Sequence, residues 1–115
     1  MQLHHIAIEV TNAEKSRAFY KEVFGLKEIY RASEGLSSNA GAWFALGDLQ
    51  LHLSQRAAAK KNGQHFALVT EDFDGVMKRA AALGANIQEA QLLEGFRQRG
   101  FLADPDGNRI ELLSR

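Results

Sequence analysis

The sequence contains no cysteine, so disulfide bonds and thiolate metal ligands are excluded. It has no excess of either charge, since 14 basic and 14 acidic residues give a formal net charge of +0. This balance, without any basic block, argues against a nucleic acid or an anionic membrane surface as partner. No apolar run approaches the ~18 residues of a membrane-spanning helix.

The N-terminus and the length of the chain set two further expectations. The opening residues Met1-Gln2-Leu3-His4-His5 lack the basic segment and the apolar core of a secretory signal, so we expect a cytoplasmic protein. A chain of 115 residues is long enough to bury one core and too short for two independent ones. We therefore predict a single domain over residues 1–115.

An internal duplication is the most informative feature that is present. His5-Ile-Ala-Ile opens the first half as His65-Phe-Ala-Leu opens the second, and Leu51-His52-Leu53 recurs as Ile110-Glu111-Leu112. The spacing differs by one residue between the two matched segments, so a single insertion or deletion relates the halves. The repeat thus places side chains of the metal-ligand type at matching positions.

Each half reads as a strand, a helix and three more strands, which predicts an α+β fold of two βαβββ modules over about 1–55 and 64–115. Thr11-Asn-Ala-Glu14 has the spacing of a capping box, so the first helix is expected to begin there and to run to Phe24, before Gly25. The strands of the first module are predicted near 3–10, 26–32, 41–46 and 49–54.

A polar linker over about 56–63 precedes the second module. Its helix is predicted over 72–83, capped by Asp72 and stopped by Gly84. Asp104-Pro-Asp-Gly107 predicts the last hairpin turn, with proline at the second position and a glycine free to take positive φ. The strands are predicted near 64–70, 86–92, 97–103 and 109–114.

Strand periodicity predicts which way the candidate ligands point. Successive side chains of a strand alternate between its two faces, and the apolar set in each strand is expected to lie under the helix. The opposite face then carries all four ligand-type residues: His5, His52, His65 and Glu111. Four such coincidences at duplicated positions favour a shared concave pocket.

Several motifs resemble those of the vicinal oxygen chelate superfamily. They are His5 five residues before Val10, Ser16-Arg-Ala-Phe19-Tyr20, Phe24-Gly25-Leu26, His65, and Asp104-Pro-Asp-Gly-Asn-Arg-Ile-Glu111-Leu112. That superfamily includes glyoxalase I, extradiol dioxygenases, methylmalonyl-CoA epimerase, and the fosfomycin and bleomycin resistance proteins. The resemblance covers nearly the whole chain, and the segment from Asp104 to Glu111 is its most specific part.

The resemblance implies paired βαβββ modules forming a cupped mixed sheet around one divalent metal, which is Zn, Ni, Mn, Co or Fe. Its ligands would lie on the first and fourth strands of each module, at His5, His52, His65 and Glu111. Such a metal acts as a Lewis acid on vicinal substrate oxygens, and Glu111 could serve as ligand, base or both. The resemblance also implies a small-molecule substrate and a homodimer with sites at the module interface.

The matched positions do not all carry equal weight. His52 is the weakest of the four, because glyoxalase I has glutamate there, the epimerase glutamine, and the fosfomycin proteins no ligand. Glu9 either accepts a hydrogen bond from a ligating imidazole or is a solvated strand end.

Strand phase alone adds four substrate-binding candidates. Trp43 and Phe101 are pocket candidates for which core packing is the alternative account. Arg97 and Arg99 could bind a substrate carboxylate or phosphate, or could be solvated edge charges.

Two function classes stay open at this point. One is a metal-dependent lyase or isomerase of the glyoxalase type, and the other a non-catalytic protein that binds an antibiotic or toxin. Fosfomycin thiol transfer is disfavoured, because those enzymes have threonine, serine and tyrosine where this chain has Ala7, Arg99 and Phe101. Extradiol dioxygenases usually have larger chains.

Overall fold

The computed structural model describes residues 1–32, 39–58 and 64–115. The chain divides into two compact units, Met1–Lys60 (unit 1) and Lys61–Arg115 (unit 2). Each unit contains one helix and one four-stranded mixed sheet. The predicted α+β fold of two βαβββ modules is confirmed. The predicted modules 1–55 and 64–115, and their union in one domain, stay predictions.

Unit 1 is built from four strands and a helix in the predicted order. The elements are β1 (His5–Val10), α1 (Ala13–Phe24), β2 (Glu28–Ile29), β3 (Gly41–Leu46) and β4 (Leu49–Gln55). The strands lie in the order β1-β4-β3-β2, and β1 pairs with β4 in parallel while the other pairs are antiparallel. The buried face of α1 packs on this sheet, and the core includes Val10, Phe19, Tyr20, Val23, Phe44, Leu51 and Leu53.

Unit 2 repeats this topology. Its elements are β5 (His65–Val69), α2 (Phe73–Ala82), β6 (Ile87–Glu89), β7 (Gln98–Ala103) and β8 (Arg109–Ser114). The strand order is β5-β8-β7-β6, again with a parallel pair, β5 and β8, followed by antiparallel pairs. The core includes Phe73, Val76, Ala80, Leu102, Ile110 and Leu112.

The helix ends and the last turn follow local chemistry that was mostly predicted. The first cap was placed one residue too early, because Asn12 rather than Thr11 accepts the backbone N–H of Lys15, at 3.0 Å. Asp72 caps α2 as predicted, accepting the N–H of Gly75 at 3.2 Å. In the Asp104–Gly107 turn, the N–H of Gly107 donates to the Asp104 carbonyl and Gly107 has φ 83°.

Strand β2 is much shorter than its predicted range of 26–32. It comprises only Glu28 and Ile29, which pair with Phe44 and Trp43. The Arg31 side chain turns to the Asn39 carbonyl, 2.8 Å away, and its guanidinium lies beside Gly41. A side chain thus bonds to a backbone carbonyl of the segment that leads into β3.

Strand β6 is also shorter than its predicted range of 86–92 and ends at Glu89. The Arg99 side chain donates to the Gln91 carbonyl at 3.1 Å, so that this group is bonded to a side chain instead of a neighbouring strand. In the linker predicted over 56–63, residues 59–63 lie outside the described residues. In the described parts of the chain, neither helix is long and apolar enough to cross a membrane.

Alternation along the strands agrees with the predicted faces. In β1, Val10 is buried and Ile8 half-buried under α1, whereas His5 and Ala7 are exposed. In β5, Phe66 and Leu68 are half-buried and His65 is exposed. The candidate ligands therefore point away from the helix in both units.

Candidate functional site

Three aromatic rings stack in unit 1. The Trp43 and His52 rings lie 3.8 Å apart and are parallel, and the His52 and His5 rings lie 4.0 Å apart at 16°. Strand register explains the first contact, because Trp43 is directly opposite His52 on the antiparallel neighbour. Ala7 is opposite His52 on the other side, and its small side chain leaves space for the His5 ring to reach His52. The stack joins three sequence-predicted residues.

The His52 imidazole is held in its neutral form. Its residue is only 8% exposed, and burial lowers the pKa of His52 from 6.5 to about 4, with smaller contributions from His5, His4 and Arg31. Its Nε2 lies 2.8 Å from the Gln50 Oε1. Because an amide oxygen only accepts hydrogen bonds, Nε2 carries the proton and Nδ1 keeps the lone pair. Metal ions bind imidazole in this uncharged state.

His5 has a polar neighbour of its own. The Nδ1 atoms of His4 and His5 are 2.9 Å apart, so one ring donates and the other accepts. His4, which was not among the predicted site residues, therefore touches a candidate ligand. The Nε2 of His5 lies at the opposite side of the ring from this contact.

In unit 2, Glu111 lies between Arg99 and His65. Its residue is 7% exposed, and its Oε1 accepts from the Arg99 Nε at 2.8 Å. Its Oε2 lies 3.9 Å from the His65 Nε2, beyond hydrogen-bond distance. The guanidinium thus engages one carboxylate oxygen, while the other faces the second candidate ligand of this unit.

Phe101 is the centre of a second group of contacts in unit 2. The strand register places it directly opposite Glu111, and its ring centroid is 5.7 Å from that of His65. Two guanidinium groups lie over the ring, Arg109 at 3.9 Å and Arg99 at 5.0 Å from the centroid. Such contacts are attractive because the ring face carries partial negative charge.

The two clusters correspond position by position. Trp43, His52 and His5 of unit 1 stand where Phe101, Glu111 and His65 stand in unit 2. Of the other two predicted substrate-binding residues, Arg97 is exposed and precedes β7, and Glu9 is half-buried opposite Ser54.

Sequence reasoning missed Gln50 and Arg109, which contact the two clusters. Both stand two residues before a candidate ligand on its own strand, Gln50 before His52 and Arg109 before Glu111. Alternation therefore places each on the ligand face, and that signal was available in the sequence.

Each unit brings together two of the four candidate ligands, His5 with His52 and His65 with Glu111. Among residues 1–32, 39–58 and 64–115, no group of three or more metal-ligand side chains is gathered. The donors themselves suit a divalent transition metal, since they are imidazole nitrogens, one of them held neutral by burial, and a carboxylate.

Comparison with protein families gives a match over nearly the whole chain. Residues 2–112 match the Glyoxalase/Bleomycin resistance protein/Dioxygenase superfamily.

Two kinds of relative are found among characterised proteins. The glutathione transferase FosA of Serratia marcescens is 30% identical over 96% of this chain and 78% of its own length. A lactoylglutathione lyase of Neisseria meningitidis is 27% identical over 100% of this chain and 91% of its own length. Each match therefore covers at least 96% of this chain.

Solved structures share the fold. A protein of Bacillus anthracis assigned to the glyoxalase family superposes with a TM-score of 0.82 at 24% identity, covering 100% of this chain and 95% of its own. A mutant of the fosfomycin resistance protein FosX of Listeria monocytogenes, complexed with Mn(II) and 1S,2S-dihydroxypropylphosphonic acid, gives a TM-score of 0.81 at 24% identity. That match covers 98% of this chain and 91% of the FosX chain.

Proposed function

Because this chain belongs to the Glyoxalase/Bleomycin resistance protein/Dioxygenase superfamily, we propose that it is a metal-dependent lyase or isomerase that binds a small substrate through two vicinal oxygens. The observation that carries the proposal is the matched pairing of donors in the two units, His5 with His52 and His65 with Glu111. His52 and Glu111 are both buried. Burying polar or charged groups costs free energy, so residues that served only solubility would be expected to stay exposed.

The residues that would hold the metal are His5, His65 and Glu111, with His52 as a fourth ligand or a support for His5. A bound divalent ion would polarise the substrate oxygens and stabilise a developing enolate or oxyanion. The FosX mutant structure contains Mn(II), so Mn(II) is one ion to test beside Zn, Ni, Co and Fe.

Glu111 is the group best placed to move a proton. The Arg99 Nε donates to the Glu111 Oε1 at 2.8 Å. The other carboxylate oxygen, Oε2, is therefore the one able to accept a proton from a substrate carbon next to a carbonyl group. Phe101 stands directly opposite Glu111 and can limit the access of water to this carboxylate. Trp43 has the same position beside His52 and would form a wall of the substrate site. Arg97 and Glu9 stay predicted substrate contacts.

The Arg99 ion pair leads to a prediction about metal binding. We expect Arg99→Gln to destabilise the metal-free protein by about 1 to 3 kcal/mol, because Glu111 loses a partner while only 7% exposed. The same change should lower the affinity for Mn(II) or Zn(II) by about 10- to 100-fold, because Arg99 orients the carboxylate through Oε1 and leaves Oε2 free to bind the metal. Urea denaturation without metal and calorimetric titration with metal measure the two effects.

Arg97→Gln is the matched control, since Arg97 is exposed and two residues away. If the two variants have equal stability and equal metal affinity, Arg99 does not support Glu111 as a metal ligand.

The proposed function is tested by elemental analysis of protein purified without chelators, followed by assay with the hemithioacetal of methylglyoxal and glutathione. We expect bound divalent metal and isomerisation of the hemithioacetal that ceases when the metal is removed and returns when it is restored. A protein that contains no metal, and that still binds the hemithioacetal without converting it, would instead be the non-catalytic binding protein.

A thiol transferase is the second candidate, supported by the 30% identity to FosA. Incubation with fosfomycin and glutathione tests it directly by detection of the adduct. Ala7, Arg99 and Phe101 replace residues that the resemblance associates with this activity, so we expect no adduct.

We also propose that the protein is a homodimer, as the superfamily resemblance implies. Light scattering coupled to gel filtration gives the mass, which should be twice the 12.7 kDa of one chain.

A further inference from the structure

Unit 2 contains a cavity of about 250 Å³ on the face that carries Glu111. Its lining includes Asn86, Gln88, Phe101 and Arg109. Gln88 is directly opposite Phe101 on β6, and Phe101 is directly opposite Glu111 on β8, so these side chains share one face of the sheet. The volume is enough for the terminal group of a small molecule rather than for a whole drug-sized ligand.

The charge at this cavity comes from Arg109. Its guanidinium lies 3.9 Å from the centre of the Phe101 ring. In the described portion of the chain it pairs with no carboxylate, unlike Arg99, which is bound to Glu111 and to the Gln91 carbonyl. The nearby Asp104 directs its oxygens to the turn, where Oδ1 accepts from two backbone N–H groups and Oδ2 from the Asn108 amide. The cavity thus has a cation whose hydrogen-bond donors are not used by an anionic side chain.

Aromatic and amide groups complete the cavity. A guanidinium stacked on a ring loses little freedom when it binds, and it keeps the edge donors that match the two oxygens of a carboxylate or phosphate. Asn86 and Gln88 add neutral amide N–H donors.

We propose that the cavity around Arg109 is a subsite for the oxyanion of a small substrate, a carboxylate, phosphonate or phosphate. The inference deepens the proposed function and rests on it, since it names the charged end of the substrate. Arg109 is directly opposite His65 on the parallel strand, so an anion bound there would be adjacent to the candidate metal ligands. This assigns to Arg109 the role that sequence reasoning gave to Arg97 and Arg99.

The test uses the metal-free protein, so that its outcome is separate from metal binding. Butyrate and propylphosphonate are titrated at about 0.15 M salt, with butyramide as the neutral probe of similar shape, and ¹H–¹⁵N spectra are recorded. We expect both anions, and not butyramide, to shift the amide signals of residues 86–88, 101–104 and 106–109 in a saturable way. Butyramide that binds as tightly as butyrate would overturn the proposal, since charge would then play no part.

Arg109→Gln should weaken both anions at least tenfold. Arg115→Gln is the matched control, because Arg115 also lies over a ring, that of Phe96 at 5.9 Å, but does not line the cavity. Equal anion affinity in Arg109→Gln and wild type would overturn the proposal, as would an equal loss in Arg115→Gln. A failure of metal binding or of hemithioacetal turnover would contradict the proposed function without changing these titrations.

Discussion

We expect Glu111→Gln to weaken divalent metal binding by about 100-fold or more and to abolish turnover. Loss of a partner outside the ligand shell costs about 10- to 100-fold in metal affinity, so loss of a charged ligand should cost more. The substitution keeps the size of the side chain and its place opposite Phe101 but removes the negative charge. Calorimetric titration with Mn(II) or Zn(II) measures the affinity, and the hemithioacetal assay measures the turnover.

Glu89→Gln is the matched control for this experiment. Glu89 is an exposed residue of β6 in the same sheet, and the substitution makes the same chemical change. Metal content and metal-dependent stabilisation that are unchanged in Glu111→Gln would show that Glu111 is no ligand. Loss of turnover with unchanged metal affinity would instead assign it to proton transfer alone.

The second large effect concerns the stability of the metal-free protein at acidic pH. The pKa of His52 is lowered from 6.5 to about 4 in the folded protein, chiefly by burial. Between these values the unfolded chain binds a proton that the folded chain does not, so stability falls as the pH falls. Above pH 6.5 the neutral His52 makes its full contribution to the free energy of unfolding, and by about pH 4 this contribution is lost. The shift corresponds to about 3 kcal/mol.

Urea denaturation at a series of pH values measures this effect, with His52→Gln as the comparison because glutamine does not titrate. The free energy of unfolding of the wild type, measured relative to that of the variant, should fall by about 3 kcal/mol from pH 7 to pH 4. NMR titration of the His52 ring gives the pKa independently of any variant. The expectation would be contradicted if the stabilities of wild type and His52→Gln changed equally with pH and the NMR pKa of His52 were close to 6.5.

The sequence was sufficient to predict the fold, because the two periodicities repeat in both halves. Alternation in β1 and β5 is regular, and the helices begin and end at recognisable caps such as Asp72 and Gly25. The errors lie where a side chain competes with the backbone. The Arg31 side chain donates to the Asn39 carbonyl beyond β2, and the Arg99 side chain donates to the Gln91 carbonyl beyond β6.

Sequence reasoning could predict the side of the sheet on which the candidate site residues lie, but not which of them touch one another. Alternation gave the common direction of His5 and His52, yet their ring stacking depends on Ala7 and on the register with Trp43. Alternation likewise could not show that Arg99 is bound to Glu111 while Arg109 lies at the cavity. Those contacts depend on strand register, which pairs residues far apart in the sequence.

The ring stack of unit 1 also gives the protein an optical probe. Trp43 is the only tryptophan of the chain, so the intrinsic indole fluorescence arises from a single ring that lies 3.8 Å from His52. An imidazolium ion quenches an indole in contact with it more strongly than a neutral imidazole does. Emission at one wavelength therefore follows the state of His52 without any label.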